Sequence, residues 1–243
     1  MFNRIEKGLW WDKTWTLVEG YTPVNDRLDI PLKTRKPTVF AIWNDLFHED
    51  APGDFIHNVF QTMYKCPQHI FLILTKRPER VLNILTSKAV IDNIKFYQKA
   101  LSHVWIGVTA ENQEQADKRI PLLLQLPAAK RFVSIEPMLG PVNLVDIPIK
   151  LNGVWTGPMG IVMSIRTGKY ISNGHGKSLI DWVICGCETG PKRRPTNIEW
   201  IRDLRDQCQA GVPFFLKQMD VNGKIVKAPE LDGRQWLEVP ECQ

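Results

Sequence analysis

From Pro37 onward the chain repeats one pattern: a short, β-prone apolar run ends in polar residues and leads into a helix-like segment. Such alternation is the sequence form of βα units. The runs are 38–43, 69–74, 104–108, 131–135, 182–187 and 213–217. Most are apolar on consecutive residues, which leaves no solvated face and predicts strands covered by helices in a parallel sheet. We therefore expect an α/β protein with a parallel (β/α) barrel-like core, a partial or open barrel of the triosephosphate isomerase type.

The helices between the runs have readable ends. Pro52 opens one that runs to about Tyr64, with Phe55, Val59 and Phe60 near helical spacing. Pro78 opens a second through about Leu85, and a third covers Gln113 to Leu124, with an interruption expected at Pro121. In the last helix Thr196 and Glu199 have capping-box spacing, Ile201, Leu204 and Cys208 share a face, and Gly211 supplies a stop.

Two regions break the rhythm. Residues 151–179 carry glycines, Pro158 and an alternating stretch at 160–165, which predicts a β-hairpin or loop insertion. After Gln218, the segments Val221-Asn-Gly-Lys224 and Leu231-Asp-Gly-Arg234 are turn signals and predict a small hairpin with an extended end. The whole chain is expected to form one domain over 1–243: an N-terminal segment 1–36, a βα core 37–218 and a C-terminal extension 219–243.

Charged residues make up 23% and hydrophobic residues 44%, an ordinary globular balance that argues against extensive disorder. No run approaches the roughly 20 apolar residues of a membrane-spanning helix, and the start lacks an apolar stretch of signal-peptide length. A cytoplasmic protein with no membrane partner is the expectation. Five cysteines, odd in number and irregularly spaced, read as reduced thiols rather than a disulfide framework. A net charge of +5 permits contact with nucleic acid without requiring it.

Ligands of parallel α/β proteins bind at the carboxyl ends of the strands. Here those positions are Asn44 and Asp45, then Thr75, Lys76 and Arg77, then Glu111 and Asn112, then Glu136, Glu188, and finally Lys217 and Gln218. Taken singly, each has a structural explanation, such as a turn cap, a first-turn carboxylate or a solvated cation. Together they would gather like charges in one cleft, which costs energy unless a ligand or counter-charge offsets it. Glu111, Glu136 and Glu188 are the catalytic candidates and the others the ligand-binding ones. Thr75-Lys76-Arg77 ahead of Pro78 has the form of an anion site, with two cations and the amides of a helix start. Cys185-Gly-Cys187 lacks a second Cys or His pair at zinc spacing, and Phe47-His-Glu-Asp50 reads as a loop, so no metal site is assigned. Nucleophile-elbow, P-loop and dinucleotide fingerprints are missing from the sequence.

Several stretches resemble one family. They are Asn44-Asp-Leu-Phe-His-Glu-Asp50, Leu74-Thr-Lys-Arg-Pro-Glu-Arg80, Trp105-Ile-Gly-Val-Thr-Ala-Glu-Asn112, Arg131-Phe-Val-Ser-Ile-Glu-Pro137 and Cys185-Gly-Cys-Glu-Thr-Gly-Pro191, with Gly223-Lys-Ile-Val226 and Leu231-Asp-Gly-Arg-Gln-Trp236 in the tail. In this order they are similar to the phage Gp37/Gp68 family, also called DUF5131, from Lys33 nearly to the end. The resemblance implies a distant kinship to radical S-adenosylmethionine enzymes and a partial or complete (β/α) barrel. It also implies an early three-cysteine loop for an iron–sulfur cluster. Here Thr14-Trp-Thr-Leu-Val-Glu-Gly20 matches the approach to that loop, but Tyr21 stands where the first cysteine would be, and the other two have no counterpart. Three clustered thiolates are needed to leave one iron open for the cofactor. The expectation is a member without a cluster, in which S-adenosylmethionine remains a possible ligand and the lost segment leaves either an open barrel edge or an apolar groove covered by Trp10, Trp11 and Trp15.

Three functional readings follow. The first is a barrel that keeps a small-molecule or nucleotide pocket, with Lys76 and Arg77 on an anionic group and Asn44, Asp45, Glu111, Glu136 and Glu188 lining it. The second is a barrel hydrolase using two strand-end carboxylates such as Glu136 and Glu188 as acid and base. The third is a nucleic-acid-binding protein using Lys33, Arg35, Lys36, Lys192, Arg193 and Arg194.

Overall fold

A computed structural model describes residues 27–42, 45–86, 101–145, 147, 149–151, 154–156, 180–208 and 211–241. The described helices are α1 (Ile30–Lys33), α2 (Gly53–Lys65), α3 (Pro78–Thr86), α4 (Gln113–Leu123) and α5 (Ile198–Cys208). The main strands are β1 (Val39–Ile42), β2 (Ile70–Thr75), β3 (Val104–Thr109), β4 (Lys130–Ile135), β7 (Trp182–Gly186), β8 (Phe214–Val221) and β9 (Lys224–Lys227). They form a sheet in the order β1-β2-β3-β4-β7-β8-β9. Every apolar run named in the sequence is one of these strands, and the parallel, open, barrel-like α/β arrangement expected from the alternation is present. The described residues fall into two compact units, one within Met1–Gly107 and Leu126–Lys130, the other within Val108–Gln125 and Arg131–Gln243.

In the first unit β1 and β2 pair in parallel from Val39↔Ile70 to Ile42↔Ile73, joined by α2. That helix buries Phe55, Ile56, Val59, Phe60 and Met63, a stripe at 3.6-residue spacing. Fully burying a side chain of this size contributes about 1.5–3 kcal/mol, so this face holds the helix in place. Phe40 and Phe71 stack with ring centres 5.4 Å apart. His69 is buried: its Nδ1 accepts from the amide of Thr38 at 3.2 Å, and its Nε2 donates to the carbonyl of Pro31 at 3.0 Å. This one tautomer ties α1 to the start of β1.

In the second unit β4 pairs with β7 in parallel, from Phe132↔Trp182 to Ile135↔Cys185. Next, β7 pairs with β8, but the register shifts between Cys185↔Leu216 and Gly186↔Gln218, so Lys217 is an extra residue in β8. Paired residues share a face, and Phe132, Trp182 and Phe215 form a continuous aromatic layer with centroid distances of 5.9 and 5.8 Å. Antiparallel β9 covers the carboxyl half of β8, from Gln218↔Lys227 to Val221↔Lys224. Its turn, Asn222-Gly223, has φ of 51° and 78°, and the turn between β10 (Glu230–Leu231) and β11 (Arg234–Gln235) has φ of 53° at Asp232 and 83° at Gly233. Two successive positive φ values are the backbone an Asn-Gly or Asp-Gly hairpin adopts, as the tail sequence predicts. The tail then runs beside the first half of β8: the Leu216 amide donates to the Trp236 carbonyl at 2.7 Å, and the Glu238 amide donates to the Phe214 carbonyl at 3.1 Å. Both halves of that strand edge are covered.

Two local expectations are corrected. Helix α4 runs through Pro121 to Leu123 without a break. The proline removes a single intrahelical bond, the one to the Asp117 carbonyl, with only two helical residues after it, and its own carbonyl accepts from Gln125 Nε2 at 2.9 Å. The capping box at Thr196 and Glu199 does not form. Instead Asn197 caps α5, its Oδ1 accepting from the Glu199 amide at 2.9 Å, while the Thr196 hydroxyl donates to the carbonyl of Met138. The insertion region opens with a hairpin of β5 (Ile149–Leu151) and β6 (Val154–Thr156); 157–179 lie outside the described residues.

Candidate functional site

The register shift in β8 builds a polar group at the end of β4 in the second unit. A regular strand would turn Lys217 and Gln218 to opposite faces; with Lys217 as the extra residue, both side chains reach Glu136, just past the end of β4. Lys217 Nζ lies 2.8 Å from Glu136 Oε1, and Gln218 Nε2 donates to the same oxygen at 3.3 Å and to the Cys187 carbonyl at 3.0 Å. The carbonyl of Lys217 accepts from the amide of Ala228 at 2.9 Å, so the tail fastens the bulge. Gly186 makes room, because a Cβ there would stand 3.2 Å from Glu136 Cγ and Cδ and 3.3 Å from Gln218 Cγ. Glu136 is 16% exposed and Lys217 44%, so the pair sits at a rim with the carboxylate set deeper. Two residues earlier on the same face, Ser134 is fully buried, and its hydroxyl has no hydrogen-bond partner among the described residues.

The other candidates of this unit are engaged locally. Glu111 Oε2 takes Arg119 Nη1 at 2.8 Å, and the same nitrogen donates to the Thr109 carbonyl at 2.7 Å; both side chains are only 12–13% exposed. Asn112 caps α4, its Oδ1 accepting from the Gln115 amide at 3.0 Å. Glu188 receives the amide, Nε and Nη2 of Arg194 at 2.7–2.9 Å, and these hydrogen bonds hold its carboxyl far below the usual range, at about 2. Arg193 donates from Nε to Asp220 at 2.6 Å and from Nη2 to the carbonyl of Gly223 at 2.5 Å, pinning the β8–β9 turn.

In the first unit Asp45 is the centre. It accepts from the Thr75 hydroxyl at 2.7 Å, from Arg77 Nη1 at 2.5 Å and from the amide of Phe47 at 3.2 Å. The Thr75 hydroxyl in turn accepts from the Arg77 amide at 3.0 Å. The chain's own carboxylate thus engages one of the two cations proposed for an external anion. Lys76 is exposed, and Asn44 lies outside the described residues.

A groove of about 500 Å³ lies elsewhere, between 141–145 and α5, lined by Asn143, Val145, Asp203, Asp206 and Gln207 among others. Gln207 accepts from the Leu144 amide at 2.7 Å and donates to the Val142 carbonyl at 3.0 Å. Of its two carboxylates, Asp206 is engaged by Arg205 at 2.8 Å.

A model of the family described as "Protein of unknown function (DUF5131)" matches residues 3–240. The chain belongs to this family. No curated protein and no solved structure matches it.

The radical-enzyme kinship suggested by the DUF5131 sequence motifs would call for an iron–sulfur cluster, and the cysteines can be tested against it. Cys66, Cys185, Cys187 and Cys208 are buried and unbridged. Burial pushes the thiols of Cys185 and Cys208 far up, and Cys185 Sγ rests 3.8 Å from the sulfur of Met138. Cluster ligands are thiolates gathered on an accessible loop, whereas these are protonated core thiols. These four thiols do not fit a cluster. Among the described residues no group of three or more His, Cys, Asp and Glu could hold a metal ion, and no described helix is long and apolar enough to cross a membrane. Tyr21 and the tryptophans at 10, 11 and 15 lie outside the described residues.

What sequence reasoning missed is the partner of each carboxylate. Arg119 lies eight residues after Glu111 with a helix start between them, and a one-residue bulge in an apolar strand leaves no mark in composition. Only the glycine of Cys185-Gly-Cys187 hinted that another group comes close.

Proposed function

We propose that this chain is a small-molecule-binding member of its family, related to the radical S-adenosylmethionine barrels but working without radical chemistry. Its site is the Glu136 group. The observation that carries this reading is the bulge, which brings two neighbouring polar side chains to one carboxylate at a strand end. Strand distortions of this kind re-aim side chains and are common at functional sites. Glu136 would accept from an amine or hydroxyl of the ligand. The hydroxyl of Ser134, without a partner among the described residues, adds support, since a buried polar group without a partner costs about 1–3 kcal/mol, which a bound ligand or water offsets. Location in the cytoplasm and a single functional domain belong to the same proposal.

S-adenosylmethionine is the first ligand to test, by calorimetry on the purified protein. Binding that weakens at least tenfold in Glu136→Ala and Lys217→Ala supports the reading. Unchanged binding in both variants removes it.

The hydrolase reading has less support. A general acid must hold its proton near neutral pH, and Glu188, at about 2, is ionised there. The nucleic-acid reading is weakened by Arg193 and Arg194, which are engaged with Asp220 and Glu188.

A further inference from the structure

The hairpin beside the Glu136 group carries a second cation on the same face. Cross-strand partners in an antiparallel pair point to the same side, and Lys227 is the partner of Gln218. Gln218 faces Glu136, so Lys227 faces that side as well. Directly opposed Cβ atoms lie about 5 Å apart, less than the length of a lysine side chain, so the ammonium can extend over Gln218 towards the carboxylate. Lys227 is exposed, and no ion pair engages it among the described residues. The backbone beneath it is fixed: Ala228, the next residue, donates to the bulge carbonyl at 2.9 Å and accepts from Gln235 Nε2 at 2.8 Å.

Glu136 thus holds one lysine, Lys217, directly, and a second, Lys227, starts from the same face of the sheet one strand beyond Gln218. We propose that Lys227, with Lys217 beside it, forms an oxyanion subsite, and that the ligand of this site carries a carboxylate or phosphate group next to the part that meets Glu136. The proposal rests on the reading of Glu136 as the binding centre and adds the chemical class of the ligand.

Lys224 supplies an internal control. It has the same charge on the same strand, but it pairs with Val221 and projects from the opposite face of the hairpin. A lysine acting only through general attraction would be replaceable by either residue. The test is a calorimetric titration of wild type, Lys227→Ala, Lys224→Ala and Glu136→Gln with pyrophosphate and, separately, with succinate. These probes carry the oxyanion without an amine, and they separate phosphate from carboxylate recognition. We expect one of them to bind wild type, to weaken at least fivefold in Lys227→Ala, and to keep its affinity within twofold in Lys224→Ala. Glu136→Gln, which removes the nearby negative charge and frees Lys217, should bind the probe more tightly than wild type. Equal losses in the two lysine variants, or no binding of either probe, would overturn the subsite. S-adenosylmethionine binding sensitive to Glu136→Ala but not to Lys227→Ala would also overturn it while leaving Glu136 as the centre.

Discussion

At the scale of single residues, each of the strand-end carboxylates Asp45, Glu111, Glu136 and Glu188 has a built-in cation, and the environment of each pair decides its role. Glu111 and Arg119 are nearly buried, so removing either leaves a desolvated charge and reads as structural. Glu136 and Lys217 sit at a rim where a ligand can exchange with one partner. Gly186 makes the contact around Glu136 possible. Gly186→Ala should destabilise the protein by about 1–3 kcal/mol in urea unfolding, since an added methyl meets packed atoms, and should weaken ligand binding because Glu136 must shift. Glu188 and Asp232 give a pH prediction. Hydrogen bonds from arginines lower their carboxyls from 4.5 and 3.8 to about 2 in each case. A lowered folded value contributes stability that is present above the ordinary value and lost as pH falls through the folded one. The urea midpoint should therefore fall between pH 4.5 and 2, and the slope in that window should flatten in a Glu188→Gln, Asp232→Asn variant. A variant with the same acid slope would contradict these assignments. The sequence marked Glu111, Glu136 and Glu188 by their place after strands. It could not show their partners, which are set by a helix turn, a bulge and a loop.

At the scale of elements, the strands and helices were legible because their signals are local. The apolar runs became strands, Pro52 and Pro78 stand at the starts of α2 and α3, and the two Asn-Gly and Asp-Gly turns formed where they were expected. The misreadings came where tertiary contacts compete with local ones. Thr196 satisfies the Met138 carbonyl rather than capping α5, and Pro121 is tolerated because the helix ends soon after it. The tail is the element whose importance exceeds its sequence signal. Trp236 meets Phe214 at 6.2 Å between ring centres, with the guanidinium groups of Arg205 and Arg234 at 5.1 and 3.3 Å from its ring centre. Trp236→Ala should cost about 2 kcal/mol, less than a fully buried tryptophan because the ring is partly exposed. The same change should weaken ligand binding only if it also loosens β9 from the bulge, which amide exchange at Ala228 would report.

At the scale of the whole molecule, the family assignment and the parallel α/β architecture agree with what the strand pattern and motifs implied. Function was less legible, because it depends on which side chains meet, and one residue of register decides that for Lys217. The four described thiols, buried and unbridged, do not have the character of iron–sulfur ligands. Anaerobic reconstitution should leave iron and acid-labile sulfide far below one cluster per chain, with no paramagnetic signal on reduction. A near-stoichiometric cluster would require thiolates that the buried cysteines do not supply.

The central claim is that Glu136 is the heart of a ligand site. Calorimetry with S-adenosylmethionine on wild type and Glu136→Gln, both checked for equal unfolding midpoints, tests it most directly. The account predicts saturable binding to wild type that falls at least tenfold in the variant. Binding of equal strength to both proteins would contradict it.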